Sequence, residues 1–396
     1  MSEPVQGSGP PTGSWRREGF AVVVTVFAIV IIGAVIAGGY FVAYQQFRIG
    51  SAGPAASSAF YAAEAGLGAA LSGWDVEVLD LLGPGESVGL AAGELETGER
   101  YEVVLTRTDT AQFWDVDFYV IVSTGMTRGP WGGRRQVATL LRRQRPDSLC
   151  CDSALRSQGG VTVSGEARVD GNDHPPEPWL AVRSACADLT STSGPGVTLA
   201  DTGSVGLLDG GIIAGDPPVW RPGDAQGDLL PPAERWFDEA AALADVALAG
   251  GSRLGEIGPA VGDDGECAGS LPTNWGAPES PGHACFDYMP VIHVAGDLSI
   301  EGGGGGQGIL LVEGDLEVGG DFKFYGVVVT GGRLRVGDRV RLTGGVSVYG
   351  GSGGVSEVGG WAVIERSECA VRAALRGSKL YLPHPLADLA WVEILD

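Results

Sequence analysis

The thiols carry the chemistry that is easiest to name in this sequence. Cys150, Cys151, Cys186, Cys267, Cys285 and Cys369 all follow a long apolar segment near the N-terminus. An even number of thiols beyond such a segment permits disulfides after export, and six thiols allow fifteen pairings. Cys267 and Cys285 bracket a Pro- and Gly-rich stretch and form the first expected pair. The adjacent Cys150 and Cys151 are expected to reach two separate partners. Reduced core thiols are the alternative.

Other reactive residue types are sparse. His174, His283, His293 and His384 stand in neither an HExxH nor a paired metal spacing, and no GxSxG or Walker sequence occurs. The run Gly302 to Gly306 lacks the Lys-Ser/Thr of a phosphate loop and reads as a flexible turn. Asp170-Gly171-Asn172-Asp173-His174 offers oxygen ligands for Ca²⁺, yet it has neither the spacing nor the closing Glu of an EF-hand loop, so a turn is expected. A lone outward His293 on a strand is expected to be structural. The expectation is a protein without metal, cofactor or catalytic residues, and therefore not an enzyme.

Composition limits the partners. The 396 residues include 49 acids against 26 bases, a formal net charge of -23, and such a surface excludes nucleic acid as a general partner. The 66 Gly and 23 Pro point to short strands joined by tight turns. The length calls for two or three folded units.

The first of those units is a helix. No charged residue occurs from Phe20 to Phe47, and about 20 apolar residues rising about 1.5 Å each cover the roughly 30 Å core of a bilayer. Arg16 and Arg17 precede the run, so residues 1-19 stay in the cytoplasm and the remainder is exported to the periplasm or cell surface. Tyr40, Phe41 and Tyr44 fall near the outer interface. A cleaved secretory signal is the rival reading, but the run is too long for one.

Two strings give this segment a resemblance. Arg16-Arg17-Glu18-Gly19-Phe20, followed directly by the apolar helix, resembles the class III signal of type IV pilins, which prepilin peptidase cuts after the Gly. Phe60-Tyr61-Ala62-Ala63-Glu64-Ala65-Gly66-Leu67 resembles the segment that follows the hydrophobic helix in the PilX N-terminal family of type IV pilus assembly proteins. The resemblance implies a leader at 1-19, cleavage between Gly19 and Phe20, and other pilin or pseudopilin subunits as partners through the helix. Physically, residues 57-72 continue an amphipathic helix whose small faces suit close helix packing, with Glu64 exposed near the membrane. Typical major pilins carry Glu at the fifth mature position, here Val24. That departure implies a minor or tip subunit.

The expected fold class is mainly β with a long N-terminal transmembrane α-helix. A pilin-like α+β head is followed by a three-sided parallel β-helix with 18-residue rungs. The helix spans 20-72, and 73-149 is a β-meander head with strands at Tyr101-Arg107, Asp117-Gly125 and Arg134-Arg143. Within it Arg134, Arg135, Arg142, Arg143 and Arg145 read as solvated strand ends. Residues 150-290 read as irregular and β-rich with one helix, Pro231-Val246. From Ile292, Gly296-Asp297-Leu298, Gly314-Asp315-Leu316 and Gly332-Arg333-Leu334 recur every 18 residues. Alternation puts Leu298/Ile300, Leu316/Val318 and Leu334/Val336 inside and Ser299, Glu317 and Arg335 outside, which fits a parallel β-helix over 291-352, with Glu317 stacked over Arg335. Residues 353-396 are expected to cap it. The repeat resembles bactofilin-like solenoids and, more loosely, hexapeptide acyltransferase coils.

Together these readings give a structural pilin-like subunit of a type IV pilus or pseudopilus, in assembly or adhesion, with an unidentified surface ligand. The alternative is a membrane-anchored surface scaffold, or a polysaccharide-binding protein, that never joins a filament.

Overall fold

The computed structural model describes residues 20-394 apart from 109-115, 129-131, 145-151, 184-185, 187-192, 201, 224-229, 231-236, 239-240, 270, 351-353 and 387-391. The apolar run and its continuation form one helix, α1 (Phe20–Ser72, 53 residues), about 80 Å long at about 1.5 Å per residue. Val22–Phe47 is long and apolar enough to cross a membrane, and none of its most apolar window is buried. The rest of α1 lies on an antiparallel meander of β1 (Ser87–Glu94), β2 (Arg100–Arg107), β3 (Val116–Met126) and β4 (Arg134–Gln144), reached through α2 (Val76–Leu81). β1 carries Gly89 and Gly93, poor strand formers that hide it in the sequence. Gly93 is needed because a Cβ there would lie 2.5 Å from the Tyr101 hydroxyl.

Beyond the head the strands run parallel. β14 (Val291–Ala295), β16 (Gly304–Val312), β18 (Phe322–Thr330) and β20 (Arg341–Val348) lie side by side, with Ile292, Leu310, Val328 and Val346 in one column. β15 (Leu298–Ile300), β17 (Leu316–Val318) and β19 (Leu334–Val336) form a second ladder, with Leu298, Leu316 and Leu334 in register. Their apolar faces enclose one core with the side chains of both sheets interleaved. The 18-residue step puts like on like, so each rung repeats the same burial.

The long strands of the first sheet bend at a stacked glycine column, Gly308, Gly326 and Gly344. All three have φ between 107° and 145°, and a Cβ on Gly326 or Gly344 would overlap the glycine carbonyl of the rung before. The polyglycine run also differs from its expected role as a turn. Gly304–Gly306 is extended strand paired with Phe322–Phe324, and the side chains it lacks are replaced by one indole from elsewhere. Trp275 is fully buried against Phe322 and Phe324, edge-on at 6.0 and 6.2 Å between centroids.

Residues 150-290 are not a separate irregular region. β5 (Leu155–Ser157), β6 (Gly160–Ser164) and β7 (Arg168–Asp170) extend the same sheets, and the short helix α3 (Glu177–Leu180) follows β7. These strands pair with β20, β21 (Val355–Val358) and β22 (Val363–Arg366), and are followed outward by β8 (Val197–Leu199), β9 (Val205–Leu208), β10 (Ile212–Ala214) and β11 (Val219–Trp220). At the opposite end, β12 (Val246–Ala249) and β13 (Ser252–Leu254) pair with β14 and β15. Val246 therefore starts a strand instead of ending a helix. Helical turns appear at 237-238 and 241-243, and the start of the expected helix, with Trp236, lies outside the described residues.

Nor do residues 353-396 cap an end. β21 and β22 are sheet strands, and the amphipathic helix α4 (Glu368–Gly377) packs on the flank of β16, β18 and β20. The tail returns to the head, where β23 (His384–Pro385) and β24 (Val392–Ile394) pair with β4. The parallel stack is thus an insertion between β4 and β23. The bend column sets a strict test: Gly326→Ala should lower stability by at least about 2 kcal/mol in chemical unfolding, because it combines overlap with a disfavoured φ. Gly337→Ala, where a Cβ meets nothing within 4 Å, should cost under about 1 kcal/mol.

Candidate functional site: the helix, its sheet and their junction

The second half of α1 divides the resemblance motif between two faces. Ala59, Ala62, Ala63, Gly66, Leu67 and Ala70 are buried at helical spacing against the meander. Tyr61 is 66% exposed, Ala65 is exposed, and Phe60 and Glu64 are half-buried. Part of the small-residue surface expected for packing between helices is therefore occupied by the chain's own sheet. The approach is backbone on backbone: a Cβ on Gly125 of β3 would overlap the Ala59 carbonyl, and one on Gly133 would overlap that of Ala55. From the helix side, a Cβ on Gly66 would lie 2.6 Å from Ser123 Oγ and 2.7 Å from the Tyr101 ring. With Gly66 of the motif, Gly125 and Gly133, which nothing local in the sequence marks as helix contacts, decide how closely the helix lies. Their signal is small residues on both partners.

Helix α1 begins at Phe20, and its exposed apolar side chains are described from Val22. Gly19 lies outside the described residues. Val24 is exposed like its neighbours. Pro54 stands within the helix between the bare and docked halves and removes the hydrogen bond its amide would give the Gly50 carbonyl.

A second cluster joins the head to the stack. Arg143, expected as a solvated strand end, is only 2% exposed. It donates to Asp80 of α2 at 2.5 Å and to the Tyr381 carbonyl at 3.2 Å, and its guanidinium sits 4.1 Å from the Tyr381 ring centre. Asp80 also accepts from Arg376 of α4 at 3.0 Å and from the Tyr381 hydroxyl at 2.6 Å. Burial, then the Asp80 carboxylate it bonds, push the Tyr381 phenol up to about 12. Arg135 pairs with Glu393 of the tail at 3.3 Å, and Arg145 lies outside the described residues.

The cysteines split likewise. Cys267 and Cys285 are bonded, as the spacing suggested, and Cys186 joins Cys369 near the start of α4 across 183 residues. Cys150 and Cys151 lie outside the described residues. The Asp/Asn string turns inward: Asp170 accepts from Arg168 at 2.9 Å, Asn172 at 2.8 Å and His174 at 3.0 Å, and Asp173 accepts from the Glu368 amide that opens α4. Burial alone would raise the Asp170 carboxyl, but those hydrogen bonds outweigh it and hold the group down to about 2. His293 points outward yet is buried beneath the covering segments, bonded to Glu313 at 2.9 Å. Glu317 and Arg335 are register neighbours, but the ion pair Arg335 makes is with Glu357, at 3.8 Å.

The repeated Gly-Asp has a mechanical reason. Asp297 accepts the Asp315 amide at 2.8 Å, and Asp315 accepts the Arg333 amide at 2.7 Å and its guanidinium at 2.7 Å. Gly314 and Gly332 leave the room these carboxylates fill.

No protein-family model matches this chain, and no curated protein matches it. Among solved structures, the competence-associated pilin ComZ from Thermus thermophilus is similar at 14% identity over 87% of this chain and 98% of that one, with a TM-score of 0.26.

Two outcomes follow from the site. Gly125→Val should undock the helix, exposing residues 59-70 to protease and hydrogen exchange while the parallel stack keeps its unfolding transition; joint loss of both would show that the helix does not dock independently. Because Asp170 is depressed below its ordinary 3.8, its contribution is complete above about pH 4 and is lost as pH falls through about 2. Asp170→Asn should therefore lower the urea midpoint at pH 7 and flatten its fall below pH 4. An unchanged slope would remove Asp170 from the acid response.

Proposed function

We propose that this chain is a structural, non-catalytic pilin-like subunit that joins, or sits at the tip of, a type IV pilus or related pseudopilus. The observation that carries this reading is α1 itself: one continuous helix, bare and apolar from Val22 to Phe47, then docked through Ala and Gly on an antiparallel sheet. Each large apolar side chain left in water forgoes about 1.5–3 kcal/mol of burial, so the bare half requires lipid before assembly and neighbouring helices after it. In this reading prepilin peptidase removes residues 1-19, Phe20 becomes the mature N-terminus, and partners are other pilin or pseudopilin subunits. The stacked coils are read as a three-sided parallel β-helix displayed outside the membrane. The non-catalytic reading is supported by the histidines, each hydrogen-bonded to a structural neighbour: His174 to Asp170, His283 to the Cys285 amide, His293 to Glu313 and His384 to the Lys379 carbonyl.

Val24 favours a second reading. Without an acid there, no carboxylate is available to meet a neighbour's N-terminal amine, which suits a minor subunit or a permanently anchored scaffold better than a repeated shaft subunit. The two separate on processing. N-terminal sequencing and intact mass of the protein from its native membrane should give a chain beginning at Phe20 with a methylated amine, and Gly19→Val should abolish cleavage. Retention of residues 1-19 in membranes with active prepilin peptidase would sink the filament reading in favour of the scaffold.

A further inference from the structure

The parallel stack has three flanks, and the chain covers two of them. One lies beneath α4 and Phe237, which pack on Val291, Ile309, Leu311, Val327 and Val329. Another lies beneath Trp179, Phe286 and Met289, which pack on Tyr325, while Gln307 donates to the carbonyls of Phe286 and Tyr288. The third, the outward face of the sheet β13-β15-β17-β19-β21-β6-β9, carries no covering segment among the described residues, and its Arg253, Glu317, Arg335 and Glu357 are exposed. Along it runs a groove of about 830 Å³, continuous through Ser299, Glu317 and Arg335 with a second hollow of about 270 Å³.

The floor of this groove is an ordered column. Arg253, Ser299, Glu317, Arg335, Glu357 and Thr162 occupy successive rungs in strict register, spaced about 4.8 Å apart. Acceptor, donor and acceptor therefore alternate at Glu317, Arg335 and Glu357, with hydroxyls at Ser299 and Thr162 on either side. Among the described residues, Arg253 and Glu317 have no side-chain partner, and the Arg335–Glu357 approach is long at 3.8 Å, so these groups remain available to a ligand. Trp361 stands at the margin. Its indole is 58% exposed, its ring N–H is held by Glu166 at 2.9 Å, and its amide donates to the carbonyl of the groove residue Asp338.

We propose that this groove binds a chain of neutral, hydroxyl-rich sugars lying along the stack. Every backbone group of the inner strands is already used in the ladder, so the face offers side chains only, and an added peptide strand gains nothing there. The larger hollow carries Glu301, Glu317, Asp338 and Glu357 against Arg335, which repels an anionic polymer. Hydroxyls, which both donate and accept, match a column that alternates the two at close to the length of one pyranose unit. An exposed indole beside such a column suits stacking on a sugar face. From β15 to β6 the column spans about 19 Å at about 4.8 Å per strand, which is room for about four units. The inference rests on the exported, displayed stack of the preceding reading, but its test is independent of filament assembly.

The test uses the full chain in detergent micelles, with calorimetric titration of neutral oligosaccharide series of increasing length. An acidic glycan series and a Lys-rich peptide run alongside. At least one neutral series should bind, with affinity rising up to about four units. Glu317→Gln and Arg335→Ala should each weaken it at least tenfold. Ser299→Tyr, which fills the groove without removing a charge, should abolish it. Lys323→Ala, which breaks the Glu279 pair on another flank, should leave it unchanged, and circular dichroism melts check that each variant is folded. The proposal is overturned by no binding in any neutral series, by binding that the three groove variants leave intact, or by a Lys-rich peptide that binds more tightly in the same groove. Failure here with correct processing at Gly19 would leave the filament reading standing.

Discussion

The parallel pairing of β20, β21 and β22 with β5, β6 and β7 is the contact that makes one body of this chain. Val346 meets Leu155, Val355 meets Gly160 and Val363 meets Arg168, although each pair joins segments nearly two hundred residues apart. Without this seam the stack divides into a set of coils from 246 onward and a smaller set between 155 and 220. The Cys186–Cys369 bond crosses the same division. Pairings of such long sequence separation form only after costly loop closure, which makes slow folding the natural consequence of the topology. The second set of coils gains a template once the first has formed.

What the sequence made legible depended on whether a physical requirement recurred at a fixed interval. Gly-Asp-Leu could be read because each Asp serves the next rung's amide and each Gly leaves room for it. The apolar half of α1 was equally plain, since length and the absence of charge are sufficient signals. The outer coils were not legible: Val246 pairs with Ile292 and Leu155 with Val197, steps more than twice the 18-residue period. The glycine column at 308, 326 and 344 does keep the period, yet it sits within strands, where glycine reads as a break. The run beginning at Gly302 looked empty because its side-chain volume is supplied by Trp275, a partner that spacing cannot indicate.

The candidate site was legible on one side only. The motif from Phe60 to Leu67 announces a helix with small faces, but which face is used depends on Gly125 and Gly133, and nothing local marks those as helix contacts. Arg143 was misread for a related reason. An arginine among four others near a strand end looks solvated, and only the return of Tyr381 and α4 to the head encloses it beside Asp80. Losing Asp80 would strand the Arg143 charge in a desolvated place, a cost of about 3–5 kcal/mol. The junction therefore fixes the orientation of the stack on the head with chemistry that neither part contains alone.

That rigidity bears on what the helix can transmit. The stack leaves the head at β4 and returns at β23, so two covalent strands and the Asp80 cluster connect it to the sheet on which α1 lies. The helix reaches that sheet through backbone contacts at Gly125 and Gly133, too close for a side chain to act as a soft spacer. The weakest point along this path is then the stretch of α1 around Gly50, Gly53 and Pro54, which lacks one helical hydrogen bond and carries no packing partner at its glycines. Bending of α1 is therefore concentrated at that boundary, between the bare half and the docked half, wherever the bare half is held.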